Sequence, residues 1–190
     1  MQILSTIITN VLTALYQPFW FSVILSVLFM FAYKTYPSIK QATKAWISWF
    51  KSDSSFRCIF FLVFYIVMIL FRTLLNRNMW SNPVSNVIGV WGIYNAKGEL
   101  TTECIENLAL FIPFTILLLW VARERILKRI TIRSVLWNSA KITFLFSFAI
   151  EMLQLFLRLG TWQLSDLFYN TLGGSIGGLI YYAGYKIKHR

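Results

Sequence analysis

Apolar residues form five long blocks along the chain, separated by shorter segments rich in basic and other polar residues. A helix needs roughly 20 apolar residues to cross a bilayer, and each block comes close to that length. The predicted spans are residues 18–36, 59–76, 105–122, 135–157 and 167–185. The pattern therefore predicts an all-α fold, a polytopic membrane helical bundle of five transmembrane helices. It forms one membrane domain over residues 1–190.

Two further segments are apolar on one helical face only. In residues 1–16, Ile, Leu and Val recur on one face, while Ser and Thr occupy the other. After the first span, a second apolar stripe lies among lysines and consists of Ile39, Ala42, Trp46 and Phe50. Amphipathic helices of this kind lie in the membrane interface. We expect an N-terminal helix that lies there, packs on the bundle or extends the first span. We also expect a cytoplasmic-loop interfacial helix, for which an irregular loop is the alternative.

Composition and charge support a membrane location and give an orientation. Hydrophobic residues make up 57% of the 190 residues and charged residues 13%, whereas soluble domains have roughly 45–50% and 25%. The net charge of +11 is concentrated in residues 34–57 and 123–134 and in the C-terminal tail. Because Lys and Arg collect on the cytoplasmic side, we expect the N-terminus outside and the C-terminus in the cytoplasm. The charge is then a topology signal, and no nucleic-acid partner is expected.

The inventory of reactive residues excludes several kinds of chemistry. There is one histidine, His189, and there are two cysteines, Cys58 and Cys104, which the topology puts on opposite sides of the membrane. Histidine-based triads, two-histidine metal sites and a disulfide are therefore not expected. The sequence also contains no Walker A or dinucleotide-binding motif, which argues against nucleotide-driven transport by this chain alone. We expect no cofactor and no metal, and a divalent cation held by two or more carboxylates is the weaker alternative.

The longest connection, residues 77–104, joins the second and third spans on the predicted outer side. Its segment VWGIYNAKGEL is typical of a hairpin that turns at residues 95–98. A connection of this length without structure of its own is uncommon. We therefore expect it to cover the outer face of the bundle.

Polar residues within four of the spans indicate a site. They are expected at the same depth, just below the outer surface, and they are Arg72, Asn76, Glu106, Asn107, Glu151, Gln154, Asp166 and Asn170. A carboxylate such as Glu151 is costly in hydrocarbon. Its simplest partner is Arg72, which is equally the simplest partner for Asp166. The shared depth favours one outer pocket with a surplus of carboxylates.

Each of these residues also has a purely structural interpretation. Asn107, Gln154 and Asn170 are suited to hydrogen bonds between helices. Glu106 and Asp166 are suited to helix N-termini, where the helix dipole stabilises a carboxylate.

The last span contains GGSIGG, in which glycines repeat at a spacing of four residues. In an apolar helix this pattern indicates close packing against neighbouring helices. Such packing would draw Asp166 and Asn170 toward the other spans.

Four motifs give the chain a family resemblance. They are RTLLN at residues 72–76, ENLALFIPF at 106–114, IEMLQLF at 150–156 and GTWQLSDLFYNTLGGSIGG at 160–178. In this order and spacing they resemble the VanZ-like family of bacterial integral membrane proteins, over a core of residues 59–185. The chain has Thr115 where the family usually has glycine, and we expect this difference to alter helix packing.

The resemblance implies a protein of the bacterial plasma membrane that is associated with resistance to teicoplanin-type glycopeptide antibiotics. We therefore expect an outer-leaflet pocket that binds a membrane lipid, a lipid-linked cell-wall precursor headgroup or the lipoglycopeptide itself. The alternatives are a membrane-embedded enzyme that modifies such a headgroup, with Glu151 or Asp166 as general base, or a small lipid transporter. The sequence favours binding over catalysis, because it supplies no evident nucleophile or metal-ligand set and identifies no catalytic residue.

Overall fold

The computed structural model describes residues 2–34, 39–95 and 97–189. Within these residues the chain forms seven α-helices: α1 (Gln2–Tyr16), α2 (Phe19–Tyr33), α3 (Ile39–Ser52), α4 (Ser54–Leu70), α5 (Glu103–Ile126), α6 (Ile132–Leu157) and α7 (Leu164–Lys188). A π-helical turn, Phe71–Leu75, continues α4. The predicted all-α bundle is confirmed.

Four helical segments of the described chain are long and apolar enough to cross a membrane. They are Ile3–Tyr33, Ser54–Leu75, Glu103–Ile126 and Ile132–Leu157. The remaining predicted span, α7, has 25 residues, but its glycines, tyrosines and polar residues lower its hydropathy and it is not among the four. A multi-pass bundle is therefore supported, while the number of five spans stays a prediction. The expected end of the first span at Tyr36 and Pro37 lies outside the described residues.

Polar contacts hold α1 and the residue that follows it, Gln17, against the bundle. Asn10 Nδ2 donates a hydrogen bond to Thr102 Oγ1 at 2.8 Å, and Asn76 Nδ2 donates one to Gln17 Oε1 at 2.9 Å. The opposite face of α1 exposes Leu4, Ile8, Leu12 and Tyr16. Packing on the bundle, one of the arrangements expected for the N-terminal helix, is therefore observed. Its location in the interface and its role as an extension of the first span stay predictions.

The amphipathic helix predicted in the first basic connection is confirmed as α3. The ring centroid of Trp46 lies 5.1 Å from that of Phe50 and 5.9 Å from that of Phe56 in α4. These aromatic contacts fix the apolar face of α3 on the start of α4. The side chain of Ile39, the first residue of the expected stripe, lies outside the described part of the chain.

The glycines of α7 allow it to lie closely between α5 and α6, which are its most extensive neighbours. Gly173 and Gly177 face α5, where an added Cβ atom would overlap backbone atoms. Gly174 and Gly178 face α6, where an added Cβ atom would overlap polar side chains. The close packing predicted from GGSIGG is confirmed, and it serves two neighbouring helices.

Two buried threonines connect α5 with α6. Thr115 Oγ1 lies 3.3 Å from Thr143 Oγ1, and the Thr143 hydroxyl also donates to the backbone oxygen of Ser139 at 2.7 Å. Thr115 therefore contributes a polar contact between α5 and α6. That this residue alters the helix packing relative to glycine stays a prediction.

The long connection between α4 and α5 is fastened to the segment between α6 and α7. The Trp80 N–H group donates to the Arg158 oxygen at 2.8 Å, and the Trp162 N–H group donates to the Pro83 oxygen at 2.8 Å. Tyr94 and Leu100 form an isolated antiparallel bridge. This bridge confirms the hairpin around residues 95–98, of which Ala96 lies outside the described chain. The connection therefore covers the end of the bundle where α7 begins.

Candidate functional site

A polar cavity of about 320 Å³ lies where the π-helical turn ends and where α5 and α7 begin. Its lining side chains are Arg72, Asn76, Arg77, Glu103, Glu106, Asn107 and Asp166. Five of the eight residues predicted from the sequence thus line one cavity. The other three predicted residues do not line this cavity. Glu151 and Gln154 are buried on α6, and Asn170 is buried on α7.

Arg72 forms its ion pair with Glu106. The guanidinium Nη2 donates to Glu106 Oε2, and the Thr102 hydroxyl donates to Glu106 Oε1. The expected pairing of Arg72 with Glu151 or Asp166 is wrong. Glu106 lies in the first turn of α5, directly opposite Arg72, and the N-terminal dipole of α5 stabilises its charge.

The π-helical turn sets the position of Arg72. The Asn76 N–H group donates to the Phe71 oxygen at 2.8 Å, which accommodates one extra residue in the last turn of the helix. Single π-turns of this kind are frequent at functional sites. Gln154 Nε2 of α6 donates to the Thr73 oxygen at 2.7 Å, so the turn is also fixed to α6.

Asp166 closes the cavity from the first turn of α7. It is 8% exposed, and Asn107 Nδ2 of α5 donates to its Oδ1 atom at 2.8 Å. One turn later, Asn170 Nδ2 donates to Ser147 Oγ of α6 at 2.8 Å. These bonds connect α7 to both of its neighbouring helices. The two side chains therefore lie close to the other helices, as expected from the glycine packing.

Glu151 is held by the backbone that leads into α7. The residue is 2% exposed, and its Oε2 atom accepts a hydrogen bond from the Gln163 N–H group at 3.1 Å. The carboxylate therefore has a main-chain donor in place of the expected arginine partner.

Most of the chain matches one protein family. A family model described as VanZ/LLP1 matches residues 19–185. The chain belongs to the VanZ/LLP1 family. The match begins at α2, and so extends further toward the N-terminus than the core of residues 59–185 expected from the motifs. The comparisons with curated proteins and with solved structures give no match.

The motifs of this VanZ/LLP1 protein converge on the cavity end of the bundle. RTLLN forms the π-helical turn, ENLALFIPF forms the first half of α5, IEMLQLF ends α6, and the fourth motif leads into α7. Their apolar residues fill the core below the cavity, among them Phe111, Phe114 and Ile150. Family membership supports a multi-pass membrane protein that is linked to glycopeptide resistance.

The sequence pattern did not predict Arg77 and Gln163. Arg77 directly follows RTLLN and lines the cavity, yet within the described residues it forms no ion pair. The one signal for Arg77 in the sequence was that it directly follows the RTLLN motif. Helical periodicity predicts the face only of residues within a helix, and Arg77 lies beyond the end of the helix. Gln163 donates a hydrogen bond to Glu151 through its backbone N–H group. Because almost every residue type has this group, the sequence does not reveal such a donor.

A second cavity, of about 450 Å³, lies under the long connection and adjoins the first at Arg77 and Glu103. Trp80, Lys97 and Gln163 also line it. A ligand too large for the first cavity therefore has polar space beneath the connection.

The first cavity offers groups of both charge signs. The Arg72–Glu106 pair is internally neutralised, which leaves Arg77 with the carboxylates Glu103 and Asp166. An arginine binds phosphate or carboxylate in a bidentate manner, and the carboxylates suit an amine. No group of three or more His, Cys, Asp or Glu residues among those described could hold a metal ion.

Proposed function

We propose that this VanZ/LLP1 protein binds the charged headgroup of an outer-leaflet lipid, a lipid-linked cell-wall precursor or a teicoplanin-type lipoglycopeptide. The observation that carries the proposal is the cavity in which Arg77, free of an ion pair within the described chain, faces Glu103 and Asp166. A ligand with an anionic group next to an amine complements this arrangement.

The charge distribution supports placing the cavity on the outer side. The basic connections at residues 34–57 and 123–134 lie at the other ends of the helices that contribute Arg72 and Glu106. Since basic connections are retained in the cytoplasm, the cavity would face the cell exterior. Cell-wall precursors and glycopeptide antibiotics meet the membrane on that side.

The proposal is tested by direct binding to the full-length protein in lipid nanodiscs. The probes are a fluorescent teicoplanin-type lipoglycopeptide, the same glycopeptide core without its acyl chain, and a labelled lipid-linked precursor. We expect Arg77→Gln and Asp166→Asn each to weaken binding about tenfold, because each removes a hydrogen bond to a charged group worth about 1.5–3 kcal/mol.

Matched controls remove the same charges at the other end of the bundle. Arg129→Gln and Asp53→Asn alter exposed side chains there and should leave binding unchanged, since asparagine preserves the N-cap of α4. Unaltered affinity in folded Arg77→Gln and Asp166→Asn variants, with helical circular dichroism preserved, would refute the proposed site.

One observation favours an enzyme as the second candidate. Glu151 and Asp166 are both buried, and Glu151 is hydrogen-bonded to the backbone three residues before Asp166, an arrangement that suits a pair sharing acid and base roles. Lipid extracts from cells carrying the wild type or Glu151→Gln separate the two candidates. A headgroup species that requires the wild-type protein and disappears with Glu151→Gln would establish catalysis, whereas identical lipid profiles would exclude it.

A further inference from the structure

A third cavity lies at the opposite end of the bundle from the first. Its volume is about 440 Å³, and it opens between the start of α4 and the ends of α5 and α7. Glu106 of the first cavity and Arg123 of this one lie on the same helix, roughly 25 Å apart at 1.5 Å per residue. The two cavities therefore belong to opposite sides of the membrane.

The third cavity has an excess of positive charge. Arg123, Arg125 and Lys188 line it, and Glu124 is its one acidic lining residue. Glu124 is 85% exposed and its Oε1 atom lies 3.6 Å from Arg123 Nη2, so the pair is weak. Within the described residues, neither Arg125 nor Lys188 has a carboxylate partner.

The cations in this cavity are positioned by local structure. The Arg123 guanidinium lies over the ring of Tyr185, 5.5 Å from its centroid. The backbone at Ala122, which also lines the cavity, leaves the helical conformation, with φ −121° and ψ 15°. Ser54 and Ser55 add hydroxyl groups from the start of α4.

The depth of the cavity is that of a lipid headgroup. Trp120 lines it and is 61% exposed, and tryptophans on the surface of membrane proteins concentrate at the interface. Cations in the last turns of α5 and α7 also complement the helix dipoles. The helix dipoles alone would favour cations at each helix end separately. They do not explain why cations from two helix ends line the same cavity together with the hydroxyl groups of a third helix.

We propose that this third cavity binds the phosphate group of an anionic ligand, on the side of the membrane opposite to the first cavity. The ligand class that fits its depth is an anionic phospholipid, and free phosphate in the cytoplasm is the other source of the same chemistry. The proposal is independent of what the first cavity binds.

The test uses native mass spectrometry of the full-length protein in detergent, with phosphatidylglycerol, phosphatidylcholine or inorganic phosphate added. We expect phosphatidylglycerol to be retained about fivefold more than phosphatidylcholine, a preference equivalent to about 1 kcal/mol. The triple variant Arg123→Gln, Arg125→Gln, Lys188→Gln should lose this preference. A control triple variant, Lys44→Gln, Lys51→Gln, Arg129→Gln, removes the same charge at the same end of the bundle and should keep it.

Cys58 supplies a second measurement, because it lines the cavity and is a free thiol. In a Cys104→Ser background, phosphatidylglycerol should slow the reaction of Cys58 with a maleimide, and phosphatidylcholine should not. Retention and protection by inorganic phosphate alone would identify free phosphate as the source. Equal loss of preference in both triple variants, or no difference between the two lipids together with no phosphate binding, would overturn the proposal.

Discussion

At the scale of single residues, Arg72 and Glu106 join the π-helical turn to the first turn of α5. Their side chains are 24% and 11% exposed, so solvent screens the pair less than it would screen a pair on the open surface. Glu106 is fixed further by the Thr102 hydroxyl. We therefore expect the two side chains to couple more strongly than an exposed pair, for which coupling free energies of about 0.2–1 kcal/mol are typical.

A double-mutant cycle with Arg72→Gln and Glu106→Gln should give a coupling free energy of about 1–3 kcal/mol, because the two side chains are in direct contact. The measurement is equilibrium unfolding of the full-length protein in detergent. The pair Arg123 and Glu124, separated by 3.6 Å and with Glu124 85% exposed, is the internal control and should couple by less than about 0.5 kcal/mol. Additive effects of Arg72→Gln and Glu106→Gln would contradict the contact.

The end of the bundle at which these charged residues lie could be predicted from the sequence, but their partners could not. Depth follows from the number of residues to the span end, because each helical residue rises about 1.5 Å. Partner choice depends on rotation about the helix axis, and one extra residue in a π-turn changes that rotation by about 100°. The apolar pattern around Arg72 carries no sign of the extra residue, so Glu151 was expected where Glu106 is found.

At the scale of helices, α7 depends on having no side chain at four positions. Gly173 and Gly177 admit the backbone of α5, and Gly174 and Gly178 admit side chains of α6. The spacing in GGSIGG predicted close packing. The sequence did not predict which glycines face which helix. Adjacent glycines on a helix point about 100° apart, and the sequence does not show which neighbouring helix lies on which side of α7.

Gly173→Ala and Gly177→Ala should each destabilise the protein by about 1–3 kcal/mol, because the new methyl group meets backbone that cannot move aside. Gly184→Ala is the matched control on the same helix, since an added Cβ atom there meets nothing within 4 Å. It should be neutral or stabilising by up to about 1 kcal/mol, given the helix propensities of Gly and Ala. Thermal unfolding in detergent measures all three, and equal midpoints for Gly173→Ala and Gly184→Ala would disprove the close contact.

At the scale of the whole molecule, the two ends of the bundle differ in charge. Three carboxylates and two arginines line the first cavity, whereas three cations and one carboxylate line the third. The overall helical organisation could be predicted from apolar blocks and loop charges. The attachment of the long connection to the α6–α7 segment could not, because it rests on backbone hydrogen bonds such as that between Trp80 and Arg158.

The orientation is testable with single-cysteine variants in a Cys58→Ser, Cys104→Ser background. Ser85→Cys lies on the long connection and Lys128→Cys on the basic connection, and both positions are exposed. A membrane-impermeant thiol reagent should label Ser85→Cys in intact cells, and it should label Lys128→Cys only after permeabilisation. The reverse pattern would invert the proposed topology.

The order of synthesis gives the α7 contacts a further consequence. Gln163 and Asp166, which bond to Glu151 and Asn107, are translated after both of these residues. A nascent chain that has released α6 but not α7 carries a carboxylate in hydrocarbon whose hydrogen-bond donor does not yet exist, which is costly. Insertion of α6 should therefore be less favourable in a chain truncated before α7 than in the full chain, because Glu151 then lacks the donor that the complete bundle provides.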